Sequence, residues 1–180
     1  MIFLDLDPFK AAECLCDKHI RHATPGVIGQ TLTAILKSYN FDEKWFYEKG
    51  KSYTMKHPLV RWGSLSRANY LWLLYFYEQL FIEFNKRYHK SHKSEDYYLK
   101  FLTLNEELKL VHFPKFGLTL FPVETLPLMF SAPVLKLAKP TNEDIVQACR
   151  EHYWSYKYDM SDWEAAGHYP EWWPEGGLKK

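Results

Sequence analysis

Residues 64–93 form a run without glycine or proline, and this run constrains the fold more than any other feature of the chain. Apolar and aromatic side chains recur along it at helical spacing for about seven turns. A helix with so many apolar positions has to be mostly buried. The pattern therefore predicts a long central helix over residues 64–89 in a mainly α-helical single domain, residues 1–180, with at most a small β element.

Shorter helices are expected before the central one. Asp7-Pro8 is typical of a helix start, because a capping carboxylate is followed by proline at the first helical position. A first helix is expected from there to about Ile20. Residues 24–26 predict a break before a second helix over residues 27–38.

Between these helices and the central one, residues 39–56 predict a loop with at most one short helix. Beyond the central helix, residues 95–111 predict another helix. Five prolines and a glycine then indicate that residues 114–140 form an extended segment around the helical body, with a short strand at residues 118–123. The acidic start of the next block predicts a final helix over residues 145–166. Residues 174–180 are expected to be a loose tail.

Composition limits the function classes. Hydrophobic residues make up 47% of the chain and aromatic residues 18%, which suits thick core packing and stacking surfaces. The formal net charge is only +1, which gives no support for strong nonspecific adhesion to a polyanion, so any phosphate recognition has to be local. Three cysteines without a CxxC pair indicate reduced core thiols in a cytosolic protein, and no apolar run is long enough to span a bilayer.

Polar side chains gather at both ends of the central helix. Ser66, Asn69 and Tyr70 lie at its start, and Arg87, Tyr88, His92 and Lys93 lie at its end. At 100° per residue Asn69 and Arg87 share one stripe, roughly 27 Å apart along the axis. We interpret the stripe as one wall of a binding site for a flat anionic ligand. For Asn69, a base-edge contact and a cap for a neighbouring loop are equal alternatives.

The segment before the central helix adds further candidates. His57 precedes Pro58 in what is expected to be an extended turn, followed by Arg61 and Trp62. Arg61 offers a planar fork to phosphate, and Trp62 either stacks on a base or packs in the core. Glu83 lies four residues before Arg87, which is the usual spacing of a surface ion pair.

Two other blocks carry chemistry. Asp17, Lys18 and His19 group an acid, a cation and an imidazole at a helix end, where a solvated helix terminus is the alternative. The last helix carries Trp154 and Lys157 in a basic and aromatic pattern of the kind that binds single strands, with core packing as the alternative for about half of its rings. The scattered histidines predict no metal site, no cofactor is expected, and no Cys/His nucleophile signature is found.

These blocks, in their order and spacing, resemble a family of small, largely uncharacterised proteins of tailed bacteriophages. The matching motifs are LDxDPxxAA (residues 4–12), DKH (17–19), HPxxxW (57–62), SxxNYxWL (66–73), RYxKxHKS (87–94) and DxVxAxRxxY…K…W…PxW (144–172). The resemblance implies a nucleotide-like ligand and the cytoplasm of an infected bacterium. Family members usually carry a lysine, a glutamate and a glutamine after DKH; Gln30 is retained here, whereas the glutamate has no counterpart.

Three functional hypotheses remain open. The first is a protein that binds a phosphorylated nucleoside and so sequesters a host immune nucleotide signal, in one pocket formed by His57, Arg61, Asn69, Arg87, His92 and Lys157. The second is an enzyme that modifies or cleaves a DNA base or nucleotide, with Asp17 or Glu78 as base, His19 or His57 in proton transfer and Arg87 on phosphate. The third is a structural or partner-binding phage protein whose polar motifs brace long loops. The oligomeric state stays open.

Overall fold

The computed structural model describes residues 2–41 and 53–174. Within these ranges the regular structure is helical and no strand forms, which confirms the mainly α-helical fold. The α-helices are α1 (Pro8–Glu13), α2 (Thr24–Ser38), α3 (Pro58–Leu65), α4 (Arg67–Tyr88), α5 (Glu95–Thr103), α6 (Leu128–Leu135) and α7 (Asn142–Lys157). A π-helix (His19–Ala23) leads directly into α2, and 3-10 turns form at Glu107–Leu110, Val123–Thr125 and Tyr158–Met160.

Helix α4 is the expected central helix, and helices α1, α2, α3 and α5 all pack against it. The predicted stripe is buried along its whole length, from Asn69 through Phe76 and Glu83 to Arg87. The helix begins at Arg67 rather than at residue 64, because Ser66 has an extended backbone and its hydroxyl accepts a hydrogen bond from the amide of Asn69. That serine cap separates α4 from α3.

His57 has the extended backbone that was predicted, and helix α3 begins directly after it. Pro58 occupies the first helical position of α3, and His57 is its N-cap residue. Proline suits that position, since its missing N–H would have no partner in the first turn. The expected first helix is also shorter than predicted, because α1 ends at Glu13.

The residues DKH lie where the next helix starts, not at the end of the first one. Asp17 and Lys18 are already helical, and the π-helix follows them without a break into α2. The predicted break at residues 24–26 therefore does not occur, and the helix continues through them. The wide π turn accommodates Pro25, which has no N–H to donate to the helix.

The segment 114–140 is not extended throughout. No strand forms at residues 118–123, and α6 occupies residues that the prolines predicted to be irregular. Pro127 caps this helix and Pro133 lies near its end, where the loss of one hydrogen bond leaves most of a short helix intact. The start of α7 matches the prediction, with a reciprocal capping box between Thr141 and Asp144, but the helix ends at Lys157.

Aromatic side chains fill the core on both sides of α4. Phe3, Trp62, Trp72 and Phe121 meet at ring-centroid distances of 4.3 to 5.9 Å. A second group joins Tyr153 of α7 to the tryptophans of the C-terminal segment, Trp163, Trp172 and Trp173. None of the described helices is long and apolar enough to cross a membrane. Residues 42–52 of the loop expected at 39–56, and residues 175–180 of the tail expected at 174–180, lie outside the described residues.

Candidate functional site

The candidate ligand residues fall into two groups at opposite ends of α4 rather than around one cavity. Trp62 lies beside Asn69, since its carbonyl accepts a hydrogen bond from the Asn69 amide nitrogen. Arg87 lies in the last turn of α4, roughly 27 Å from Asn69 along the axis. Arg61 in α3 pairs with Glu124, whereas Arg87 pairs with Asp17 and Glu83. The single pocket expected from the sequence is therefore split.

At the start of α4, the polar side chains hold the segment that follows residue 114. Both amide protons of Asn69 are used, on the Trp62 carbonyl and on the Thr119 hydroxyl, at 2.7 Å each. Its oxygen accepts from the Thr119 amide at 3.0 Å. The hydroxyl of Ser66 donates to the Gly117 carbonyl. No amide proton of Asn69 is left for a base edge, so the loop-cap alternative accounts for this residue.

The rings of this group are packed in the core. Tyr70 is fully buried, burial raises the pKa of its hydroxyl, and its oxygen has no hydrogen-bond partner among the described residues. Trp62 makes edge contacts with Phe3 and Phe121. The His57 ring stacks on Tyr53 with centroids 4.1 Å apart, and burial lowers its pKa.

At the other end of α4, Arg87 is saturated by the protein itself. A guanidinium group has five N–H donors. Here they donate to Glu83, to Asp17, and to the carbonyls of Leu15 and Glu13, at 2.7 to 3.2 Å. The side chains of Arg87, Glu83 and Asp17 are each 1–2% exposed. The expected surface ion pair is thus a buried network, and Arg87 has no free donor for a phosphate.

Asp17 is held in the same network. Its second carboxylate oxygen accepts from the Ala165 amide at 2.7 Å, and its own amide donates to the Asp162 carbonyl. The hydroxyl of Tyr88 is 3.4 Å from the Asp17 carbonyl. A buried carboxylate that accepts bonds from Arg87 and Ala165 is a poor general base, which corrects the catalytic role considered for Asp17.

His19 is the candidate catalytic residue whose ring stays partly exposed next to this network. Its Nδ1 is 2.5 Å from the Tyr153 hydroxyl and 3.4 Å from the Cys16 sulfur. The Tyr153 hydroxyl also accepts from the Cys16 amide at 3.0 Å. The other ring nitrogen of His19, Nε2, has no hydrogen-bond partner among the described residues.

The thiol beside His19 is unusual. Burial alone would raise the pKa of Cys16, but the hydrogen bond and the charge of His19, together with the Tyr153 hydroxyl, lower it to about 6. Burial raises the pKa of the other two cysteines, Cys14 and, to about 12, Cys149. Burial, and then the Cys16 charge, also raise the pKa of Tyr153. Among the three cysteines, Cys16 is therefore the one whose pKa is lowered.

Exposed basic side chains lie next to His19 along the chain. Lys18, Arg21 and His22 are exposed on the turns before and within the π-helix. The Arg21 guanidinium lies 4.8 Å above the Tyr88 ring. A hydrogen bond to Tyr88, and then the carboxylates of Asp17 and Asp162, raise the pKa of Arg21. We call Cys16, Lys18, His19, Arg21, His22, Tyr88 and Tyr153 the His19 cluster.

The remaining candidates have other surroundings. Glu78 bonds Tyr98 of α5, and the His92 ring packs edge-on against Phe84 while its Nδ1 accepts from the Ser94 amide. Lys93 is exposed after α4. Trp154 and Lys157, on α7, are exposed and partly exposed respectively. None of these contacts places the five side chains in the His19 cluster.

Sequence reasoning missed four members of the cluster: Cys16, Arg21, His22 and Tyr153. The spacing Cys16-x-x-His19 was visible in the chain, but thiol and imidazole at three residues apart meet only if that segment is helical. Tyr153 lies 134 residues from His19 and carried no local signal. The proximity of these groups is visible only in the folded structure.

No family model, curated protein or solved structure matches the chain. The phage-family resemblance remains a prediction. Across residues 2–41 and 53–174, no group of three or more metal-ligating side chains lies together.

Proposed function

We propose that the protein binds a phosphorylated nucleoside at the His19 cluster. One observation carries the proposal: a partly exposed imidazole is fixed at Nδ1 by Tyr153 while its Nε2 is unbonded, on a surface with the exposed cations Lys18 and Arg21. An Nε2–H donor and two cations suit phosphate oxygens, since charge-assisted bonds of this kind are the stronger class. Tyr88, under Arg21, supplies an aromatic ring beside the phosphate position.

The buried network supports this assignment indirectly. Arg87 and Lys86 together balance the charges of Asp17 and Glu83, so these carboxylates add little repulsion at the surface above them. Because the total charge is only +1, the electrostatic attraction for a phosphate is confined to this surface. Added salt screens that attraction. The resemblance to phage proteins extends the proposal to a role in infected bacteria, where such a protein would sequester a host immune nucleotide signal.

Calorimetric titration of the full chain tests the binding. Nucleoside monophosphates, cyclic dinucleotides and short single-stranded oligonucleotides are the ligands, at low and moderate salt. His19→Ala is expected to weaken binding by about tenfold or more, because a charge-assisted bond contributes about 1.5–3 kcal/mol. His112→Ala, an exposed histidine outside the cluster, is the matched control and should bind as wild type does. Absence of binding by every ligand class, or equal affinity of the two variants, would overturn the proposal.

A second function, an enzyme acting on a nucleotide or DNA base, is favoured by a separate observation, the Cys16–His19 pair. A thiolate 3.4 Å from an imidazole is the arrangement of a nucleophile and its proton-transfer partner. Cys16 has no exposed surface, so a substrate would meet His19 first and reach the sulfur only if the neighbouring segment moves. Mass spectrometry of nucleotides and DNA after incubation separates this function from binding alone: wild type would change the substrate, Cys16→Ser would not, and recovery of every substrate unchanged excludes it.

A further inference from the structure

A cavity of about 400 Å³ lies between α3, α6 and residues 120–124, which follow the segment bonded to Ser66 and Asn69. Its walls are mostly apolar and include Trp62, Leu120, Phe121 and Leu135. The cavity lies at the opposite end of α4 from the His19 cluster, so one small ligand cannot reach both. Its size is within the range of small-molecule sites.

Trp62 forms part of the apolar wall of the cavity. The residue is 2% exposed, and its indole Nε1 is shielded from the cavity, buried without a hydrogen-bond partner among the described residues. Trp62 therefore contributes ring surface rather than a hydrogen-bond donor, and polar recognition of a ligand has to come from the mouth of the cavity.

The mouth of the cavity offers a donor and an acceptor side by side. The Arg61 guanidinium is 3.3 Å from the Glu124 carboxylate, and the two side chains are 49% and 63% exposed. Because exposed ion pairs are weak, either group can turn towards a ligand. A ligand with a carbonyl oxygen next to an N–H would bond both, and a flat apolar ring would cover Leu120 and Leu135, which are now about half or more exposed.

We propose that this cavity is a second binding site and that it takes a planar lactam: a flat, mostly apolar ring system with adjacent carbonyl and N–H groups, the chemistry shared by nucleobases and related heterocycles. The ring lies between the apolar walls. The carbonyl accepts from Arg61, and the N–H donates to Glu124. This site does not depend on the function proposed for the His19 cluster.

The site can be tested with 2-quinolone as the probe, by ligand-observed NMR and tryptophan fluorescence. Quinoline, which has no lactam edge, is the matched control compound. Wild type is expected to bind 2-quinolone more tightly than quinoline by roughly fivefold or more. Leu135→Trp, at an exposed position that tolerates a larger side chain, should fill the cavity and abolish the binding. Glu124→Ala removes the acceptor at the mouth and should remove most of the preference for the lactam.

His19→Ala should leave 2-quinolone binding unchanged, because that cluster lies at the other end of α4. Equal affinity for the two compounds, unchanged binding by Leu135→Trp, or no binding by wild type at millimolar concentration would each overturn the proposal. A loss of 2-quinolone binding in His19→Ala would also contradict it, since the probe would then occupy the other site. Nucleotide binding at His19 is measured separately, so a failure of the cavity proposal can be told apart from a failure of the function proposed for the His19 cluster.

Discussion

At the scale of single residues, hydrogen-bond saturation separates structural polar groups from candidate functional ones. Arg87 and Asn69 are both buried, and the donors of each are fully used within the protein. His19 differs, because only one of its ring nitrogens is bonded. Sequence reasoning selected all three residues but could not rank them, since the partners of Arg87 come from residues 13–17 and that of His19 from α7.

The Cys16 thiolate gives stability that depends on pH. Its pKa of about 6 in the folded state lies below the value of about 8.5 expected in the unfolded chain, so this contribution is complete above the unfolded pKa and is lost as the pH falls through 6. The difference in unfolding free energy between wild type and Cys16→Ser should therefore grow from pH 6 to pH 8.5, by at most ~1.4 kcal/mol per pH unit. Urea denaturation at several pH values measures it.

The thiolate absorbance of the folded protein offers an independent check. Burial raises the pKa of Cys14 and Cys149, so ionisation near pH 6 is assigned to Cys16. His19→Ala should move the midpoint upward, towards that of an ordinary thiol, because the hydrogen bond and the charge that lower this pKa are lost. A midpoint near 8.5 in wild type would contradict the assignment.

At the scale of helices, the approach of α3 to its neighbours depends on a residue without a side chain. A Cβ at Gly63 would lie 2.4 Å from the Cδ1 atom of Ile35 in α2 and 2.8 Å from that of Leu73 in α4. This contact positions Arg61 and Trp62 at their cavity. The long α4 was predictable from its apolar spacing, but the separation of α3 from α4 was not, because the serine cap lies inside a continuous apolar pattern.

Gly63→Ala tests this packing. Alanine is favoured over glycine in a helix interior by up to ~1 kcal/mol, so a loss of stability has to come from the contact. We expect destabilisation of about 1–3 kcal/mol in urea denaturation. Ile35→Val removes the closest atom, and the double variant should recover part of the loss. If Gly63→Ala destabilises wild type and the Ile35→Val variant equally, the contact with Ile35 is not the source of the lost stability.

At the scale of the whole molecule, α4 joins the beginning of the described chain to its end. Arg87 bonds the carbonyls of Glu13 and Leu15 as well as Asp17, and Asp17 bonds the Ala165 amide. The helical fold class could be predicted, because helical periodicity is a local property. The absence of a strand at residues 118–123 could not, since that segment is held by Asn69 and Ser66 rather than by a neighbouring strand.

Arg87→Ala should destabilise the entire fold. Removing it leaves Asp17 and Glu83 buried without their partner, which typically costs about 3–5 kcal/mol. Arg61→Ala is the matched control, because it breaks an exposed pair worth at most ~1 kcal/mol. Denaturant unfolding of both variants measures the difference. Similar small effects would show that the buried network contributes little to stability.

The bond between Asp17 and Ala165 has a consequence for the synthesis of the protein. During translation, residues 16–19 leave the ribosome long before Tyr153 and Ala165 have been made. Until then the imidazole has no phenol beside it and the carboxylate lacks one of its two partners. The nascent polypeptide therefore cannot display a completed His19 cluster, and the site arises only late in elongation or after release.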